Sequence, residues 1–352
     1  MARVLSSDVA RRAGVSRATV SYVLNRRADK SISEQTRQRV LRAARELGYV
    51  PSATGAALGS GRSRVVLLRD SGRIPSAGQE VLPLGSLAGL LRDALAREVH
   101  SWGMTLLSCG SDTPIADVLK HVDPALVIAP AGLNKDETDV VAAVGAALVD
   151  RDGRGDPLSD LVLGQLPGLQ VRYLAAHGLR RPAYLTTRMP GLEPLVASRR
   201  RAVLATCEQE GLPVPREYAV GPLDEDAVSE FTGVLHDWSQ AGVDAVVCFN
   251  DLHAGLAVAA ARRAGLRVPD ELAVIGADDE VLGRFLDPPL TTVAPDMVAF
   301  ARYLAARARA VLDGTEPPDA PATLARVVER GTVPAPRFPD PPRSVEVTYR
   351  DR

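Results

Sequence analysis

The chain has few of the residues that most chemistry-bearing sites need. Cysteine occurs three times in 352 residues, at Cys109, Cys207 and Cys248, with no CxxC pair. That excludes a disulfide framework and a thiolate zinc site, and leaves reduced, buried thiols as the expectation. Aromatic residues make up only 4%. No apolar run approaches the ~18–20 residues that a membrane-spanning helix needs, so no membrane partner is expected. The opening MARVLSSDVARRAG lacks the apolar core of a secretory signal, and a cytoplasmic location is expected. The five histidines (His100, His121, His177, His236, His253) fall in no HExxH or other ligand spacing, and neither a G-x-S-x-G elbow nor a GxxxxGK[ST] phosphate loop is present. The expectation is therefore a non-enzyme, with no catalytic residue, no metal ligand and no cofactor.

What the chain does have is a charge asymmetry. Residues 1–64 hold thirteen Lys/Arg against Asp8, Asp29, Glu34 and Glu46, a balance of +9, whereas the whole chain carries −1. A basic head on an acidic body suggests that the head meets a polyanion.

The head divides into three short helices. Asp8–Ala13 places Val9, Ala10 and Ala13 on one face, and Gly14 follows where a helix end favours positive φ. Ser16 suits the N-cap of a second helix, Arg17–Asn25, with Val20, Val23 and Leu24 as its apolar stripe. A third helix starts near Ser33, carries Val40, Ala44 and Leu47 on one side, and ends at Gly48–Tyr49. Two short helices joined by a glycine-bearing turn describe an all-α helix-turn-helix unit. In that unit the second helix enters the major groove of double-stranded DNA. Arg17 is the candidate for direct readout, since a guanidinium can bond guanine O6 and N7 together. Ala18 offers an apolar contact, Tyr22 a base or phosphate contact. Ser16, Thr19, Ser21 and Asn25 suit phosphates, which set register rather than sequence preference. The competing interpretation is a three-helix packing unit with no ligand.

The run DVARRAGVSRATVSYVLN, followed by ISEQTRQRVLRAARELGYVPSATGAALGSGRS, resembles the DNA-binding head of the LacI/GalR repressor family. The resemblance puts Arg17 and Ala18 at specificity-reading positions and Tyr22 at a further operator contact. Residues 51–62, rich in small residues and glycine, correspond to the family's hinge, which becomes helical on operator DNA. Leu58 falls where a leucine wedges into the minor groove. Gly55 departs from the pattern and disfavours the hinge helix by about 1 kcal/mol. The alternative is an unstructured tether in which Leu58 is idle.

From Arg64 onward short apolar runs (65–69, 104–109, 125–130, 146–150, 182–187, 245–250, 272–277) alternate with helical stretches (Leu87–Val99, Thr138–Val144, Gln170–Ala176, Ala197–Glu210, Leu252–Ala264). Alternation of this kind implies βαβ units and parallel sheets. LAAHGLRRPAYL, DAVVCFNDLHAGLAVAAARRAGLRVPDELAVIGADD and PPLTTVAPD are similar to the periplasmic-binding-protein-like body of the same family, with Leu179 replacing a histidine. The resemblance implies an α/β body (63–335) of two parallel-sheet subdomains, 63–163 with 294–320 and 164–293 with 321–335. Crossings are expected near 164, 293 and 320, and 336–352 form a tail. It also implies an effector cleft: Arg199 falls on an arginine that meets effectors, and Asn250 and Asp278 fall on polar ligand-bonding positions. Gln165 stands where an aspartate is common and Met297 where an aromatic often stacks; Asp70, at the end of the first strand, completes the candidate set. The segment between Gly110 and Asp123 is too short for the usual helix.

Each pocket residue has an alternative role. Arg199 lies beside Arg200 and Arg201, as on a solvated basic face. Asn250 and Asp251 can cap a helix, and Asp278 and Asp279 can cap a turn or pair on a metal. The resulting expectation is a transcription regulator, most simply a repressor. It would bind a near-palindromic operator as a homodimer, joined along Leu87–Val99 and Leu252–Ala264, under control of a sugar-like or nucleoside-like effector. The alternative is a regulator whose cleft has lost its small molecule and answers to a protein partner or to nothing.

Overall fold

The computed structural model describes residues 4–24, 32–49, 63–70 and 84–335. The proposed hinge with Leu58, the tail after 335, and Asn25 lie outside the described residues. The chain separates into two compact units, residues 1–65 with 123–125 and the remainder.

The head is three helices, α1 (Ser6–Ala13), α2 (Arg17–Leu24) and α3 (Glu34–Glu46). Gly14 ends α1 with φ +64, and Val15 N–H closes back on the Ala10 carbonyl at 3.1 Å. Ser16 Oγ accepts from Thr19 N–H at 3.1 Å, so the turn ends on one cap and α2 starts on another. Ser33 caps α3 through Thr36 N–H. Gly48, at φ +62, stops α3, with Tyr49 N–H reaching the Ala44 carbonyl at 2.8 Å. Val9, Val20 and Val40, one from each helix, meet with no exposed surface, together with Ala10, Ala13, Val23, Ala43 and Ala44. Burial of each valine contributes roughly 1.5–3 kcal/mol, and these few contacts hold a unit of short helices that would not persist singly.

The body contains two sheets. The first is ordered β2-β1-β3-β4 from β1 (Val65–Asp70), β2 (Thr105–Gly110), β3 (Leu126–Ile128) and β4 (Ala147–Val149). The second is ordered β10-β9-β8-β7-β5-β6 from β5 (Pro182–Thr187), β6 (Arg216–Val220), β7 (Ala245–Cys248), β8 (Ala273–Ala277), β9 (Thr292–Pro295) and β10 (Ala325–Val328). Pairing is parallel between β1 and β3, β3 and β4, β5 and β6, β5 and β7, β7 and β8, and β8 and β9, and β10 runs antiparallel to β9. β5, β7 and β8 are buried at every residue, as strands covered on both faces must be.

The helices of the body are α4 (Leu84–Ser101), α5 (Ile115–Leu119), α6 (Lys135–Ala143), α7 (Asp160–Leu163), α8 (Gln165–Ala176), α9 (Glu193–Gln209), α10 (Glu225–Gln240), α11 (Asp251–Arg263) and α12 (Met297–Asp313). At five residues α5 is indeed short. The chain changes sheets three times. Val162 belongs to the core of the first sheet and Leu166 to that of the second, so the first passage is at Gly164. After β9 the chain returns at Asp296, because α12 buries Phe300, Ala301 and Leu304 against the first sheet and α4. Leu324 still packs with the first sheet and Ala325 with the second, which marks the third passage.

One glycine shows how closely these layers meet. A Cβ added to Gly276, in β8, would lie 2.1 Å from Asp251 Oδ1 and 2.9 Å from a Leu290 methyl. Gly276→Ala is therefore expected to lower the stability of the body by several kcal/mol, with overpacking and displacement of a buried carboxyl acting together. Urea denaturation of the purified variant against the parent checks this.

Candidate functional site

In the head, Ser16, Arg17, Ala18 and Ser21 are exposed and Thr19 and Tyr22 are half-buried, while Val20 and Val23 face the core. Ser16 Oγ is engaged by both the Thr19 N–H and the Thr19 hydroxyl, the latter at 2.9 Å. The structure therefore gives Ser16 and Thr19 a capping role at the start of α2 and turns Arg17, Ala18 and Ser21 outward on the opposite side from the core.

In the body, the polar candidates gather at the carboxyl ends of the second sheet's strands, where open α/β folds bind ligands. Arg199, on α9, is 1% exposed. Its Nη1 donates to the Phe249 carbonyl, its Nη2 donates to Asp278 Oδ1 at 3.2 Å, and its guanidinium carbon lies 4.6 Å from the centre of the Phe249 ring. The solvated basic face is thus overturned at Arg199, whereas Arg200 and Arg201 are exposed. Periodicity explains the split: one step along a helix rotates a side chain by about 100°. Asp278 follows β8 with φ +102, a conformation rare outside glycine. Burial pushes its carboxyl up in pKa, against the pull of Arg199.

Asn250 lies after β7, 2% exposed, and caps α11: its Oδ1 accepts from His253 N–H at 3.1 Å and from His253 Nδ1 at 2.6 Å. The capping alternative is realised for Asn250 but not for Asp251. The Asp251 carboxyl instead turns inward, accepting from the Thr292 hydroxyl at 2.5 Å and from Glu280 N–H at 2.6 Å. Burial raises its pKa to about 7, and the neighbouring Asp278 and Asp279 add to the rise. Asp279, φ +54, pairs with Arg330. No group of three or more His, Cys, Asp or Glu able to hold a metal occurs among the described residues.

The remaining candidates are placed elsewhere. Gln165 opens α8 and its Oε1 accepts from Leu324 N–H at 3.5 Å, joining two of the passages between sheets. Met297 is 6% exposed and packs in one core with Phe300, Leu304 and Leu324. Asp70 ends β1 and is ion-paired with Arg92 of α4 at 2.8 Å. The sequence pattern assigns Asp251 only to a helix cap, and assigns no site role to His253 or Gln170. The Gln170 amide donates to the carbonyls of Cys248, Ile275 and Gly276 at 2.8–3.2 Å, fastening the ends of β7 and β8. Its signal was a glutamine between Leu166 and Leu174 on one helix face.

A helix-turn-helix head joined to two mainly parallel sheets, with three chain passages between them, defines the class of regulators that carry a periplasmic-binding-protein-like body. Residues 7–52 match the model for bacterial regulatory proteins of the lacI family, and residues 171–333 match the periplasmic binding protein-like domain. The chain belongs to the LacI/GalR family of DNA-binding transcriptional regulators, and is not an enzyme. It is 27% identical over 304 residues to the HTH-type transcriptional regulator DegA of Bacillus subtilis, covering 82% of this chain and 85% of DegA. It is 29% identical over 311 residues to the HTH-type transcriptional repressor PurR of Yersinia pestis, covering 81% of this chain and 84% of PurR. The fold matches that of a lac repressor dimer bound to operator and the anti-inducer ONPF, with a TM-score of 0.73 at 20% identity, covering 95% of this chain and all of that one.

Asp251 sets a pH dependence. Its folded pKa of about 7 stands above the ordinary 3.8, so the folded state holds the proton more tightly. The stabilisation is complete below about pH 4 and is lost as pH rises through 7. Asp251→Asn removes this titration, and its amide oxygen can accept from Glu280 N–H while its NH2 donates to the Thr292 hydroxyl. Thermal melts between pH 4 and 8 are expected to show a shallower decline of Tm for the variant than for the parent.

Proposed function

We propose that the protein is a repressor that binds a near-palindromic operator as a homodimer, one α2 per half-site, with affinity set by a sugar-like or nucleoside-like effector in the body. The observation that carries the DNA half is the outward presentation of Arg17, Ala18 and Ser21 on a helix whose opposite face is locked into the head's core. In this reading residues 1–50 are the DNA-binding domain, 51–62 the hinge with Leu58 as its wedge, and 63–335 the effector and dimerisation domain. Tyr22 and Asn25 add operator contacts, while Ser16 and Thr19 fix the start of α2. Arg199, Asn250 and Asp278 form the effector floor in this reading, while Asp70, Gln165 and Met297, expected beside it, are engaged in other contacts. The small-molecule reading is favoured over a vestigial cleft because an arginine, an amide and a carboxylate converge where strands end. A cytoplasmic location follows from this role, and no helix among the described residues is long and apolar enough to cross a membrane.

In this reading the dimer seam runs along α4 and the turn after β8 rather than along α11. α11 is spent inside the subunit, with Ala254, Leu256, Ala257, Val258, Ala260 and Ala261 all buried, so it offers little surface to a partner. The neighbouring 3-10 turn, Val281–Phe285, exposes Val281 at 59%, Leu282 at 61% and Phe285 at 77%, and α4 exposes Leu90 at 52%. Apolar side chains exposed together favour an isologous contact with a second copy.

Two experiments test the proposal. Selection of bound sequences from random DNA is expected to return an inverted repeat, and Arg17→Ala to weaken the selected site by about 1–3 kcal/mol with relaxed preference at one base pair per half-site. Equal loss on all sequences would make Arg17 a phosphate contact only. Separately, Leu282→Asp with Phe285→Asp is expected to shift the protein from dimer to monomer in sedimentation at micromolar concentration, without unfolding it.

A further inference from the structure

The Phe249 ring is held between two buried polar groups that are each incompletely satisfied. Arg199 covers its face, with the guanidinium carbon 4.6 Å from the ring centre. His253 meets its edge, ring centres 5.4 Å apart and planes at 69°. Both are buried, Arg199 at 1% exposure and His253 at 0%. Arg199 uses Nη1 and Nη2 on the Phe249 carbonyl and Asp278, and its Nε has no partner among the described residues. His253 Nδ1 donates to Asn250 Oδ1, and its Nε2 has no partner among the described residues.

The protonation of His253 follows from these contacts. Asn250 Oδ1 can only accept, so Nδ1 carries the hydrogen and Nε2 is left with a lone pair. Burial and the charge of Arg199 together lower the imidazole pKa to about 3, so the ring is neutral throughout the physiological range. A buried donor and a buried acceptor without partners are each destabilising, and both stand at the one ring. The group that satisfies the pair is one that accepts from a guanidinium N–H and donates to an imidazole nitrogen. A hydroxyl does both; a carboxylate or phosphate supplies only acceptors, and an ammonium only donors.

We propose that His253 is a specificity-determining residue of the effector site, its bare Nε2 accepting a hydrogen bond from a ligand hydroxyl while Arg199 Nε–H donates toward the same polyol edge. The inference rests on the small-molecule reading given above and deepens it. It selects neutral, hydroxyl-rich compounds, such as free sugars and the ribose of nucleosides, over anionic metabolites. It also assigns Asn250 a second task, since the amide that caps α11 fixes the tautomer that leaves Nε2 open.

The test uses the full-length protein and a panel of free aldoses, disaccharides, nucleosides, purine bases, sugar phosphates and carboxylic acids. Thermal shift identifies the stabilising compound, and calorimetry measures its Kd on the parent, His253→Leu and His253→Gln. The expected result is a neutral polyol ligand, a Kd about tenfold weaker for His253→Leu, and recovery of most of that loss in His253→Gln, whose amide oxygen restores an acceptor. In the parent labelled with 15N-histidine, the resonance of the unprotonated His253 Nε2 is expected to move upfield on adding the ligand, a signature that a merely structural histidine does not give. If His253→Leu does not fold, the 15N shift alone decides. A stabilising ligand with unchanged Kd in His253→Leu, or one that leaves the 15N resonance in place, overturns the role of His253 and leaves the effector reading standing. A panel in which no compound stabilises the parent overturns the effector reading, and this inference with it.

Discussion

A guanidinium that water cannot reach organises the strand ends of the second sheet. Arg199 is buried, and a charge in that position is tolerated only with its hydrogen bonds made and a counter-charge at hand. The counter-charge is Asp278, and to bring its carboxylate to Arg199 the chain leaves β8 in a left-handed conformation. The Phe249 carbonyl supplies the second acceptor and the Phe249 ring a face for the cation. That places the end of β7, and hence the cap of α11, in register with α9. Remove the cation and three chain segments lose their common partner, while a carboxylate remains desolvated and alone.

Behind this layer lies a second, built on Asp251. Its two carboxyl oxygens tie the start of α11 to Thr292 in β9 and to the backbone at Glu280. Gly276 is the only residue type that leaves room for that carboxyl against β8. Because β9 leads directly into α12, which belongs to the first sheet, this network reaches the second passage of the chain between sheets. Gln165 makes a corresponding link between the first and third passages. Polar groups thus fasten the places where the chain changes sheet, and apolar layers fill the space on either side.

Much of this was legible in the sequence, and unevenly so. The head was read almost to the residue, because each helix carries its own start and stop: Ser16 and Ser33 as caps, Gly14 and Gly48 as left-handed ends. Strands β5, β7 and β8 were read from continuous apolar runs. Helices α8 and α9 were started several residues late, since Pro167 and Pro194 look like breaks but sit in first turns, where a missing N–H costs nothing. α10 is poorly legible, although Ala227, Phe231, Leu235 and Trp238 keep helical spacing, because its polar residues are numerous. β6 and β10 lie at sheet edges, where burial is partial and alternation weak. Among the site residues, Arg199, Asn250 and Asp278 do come together. Met297 is drawn into the core of the first sheet, and Asp70 into an ion pair with Arg92. Asp251 is legible in the sequence only as a helix cap and His253 not as a site residue, because their roles depend on partners from β8, β9 and α9, far away along the chain.

The division of α2 into an inner and an outer face has an evolutionary consequence. Val20 and Val23 hold the helix; Arg17, Ala18 and Ser21 stand outside the core. Exchanges at such exposed positions typically change stability by no more than about half a kcal/mol. The two glycines that end α1 and α3 shape the turns through backbone alone. The lineage is therefore able to explore new outer faces one substitution at a time, without passing through an unfolded intermediate. In a head this small, that independence of surface from scaffold is what lets one architecture acquire different targets.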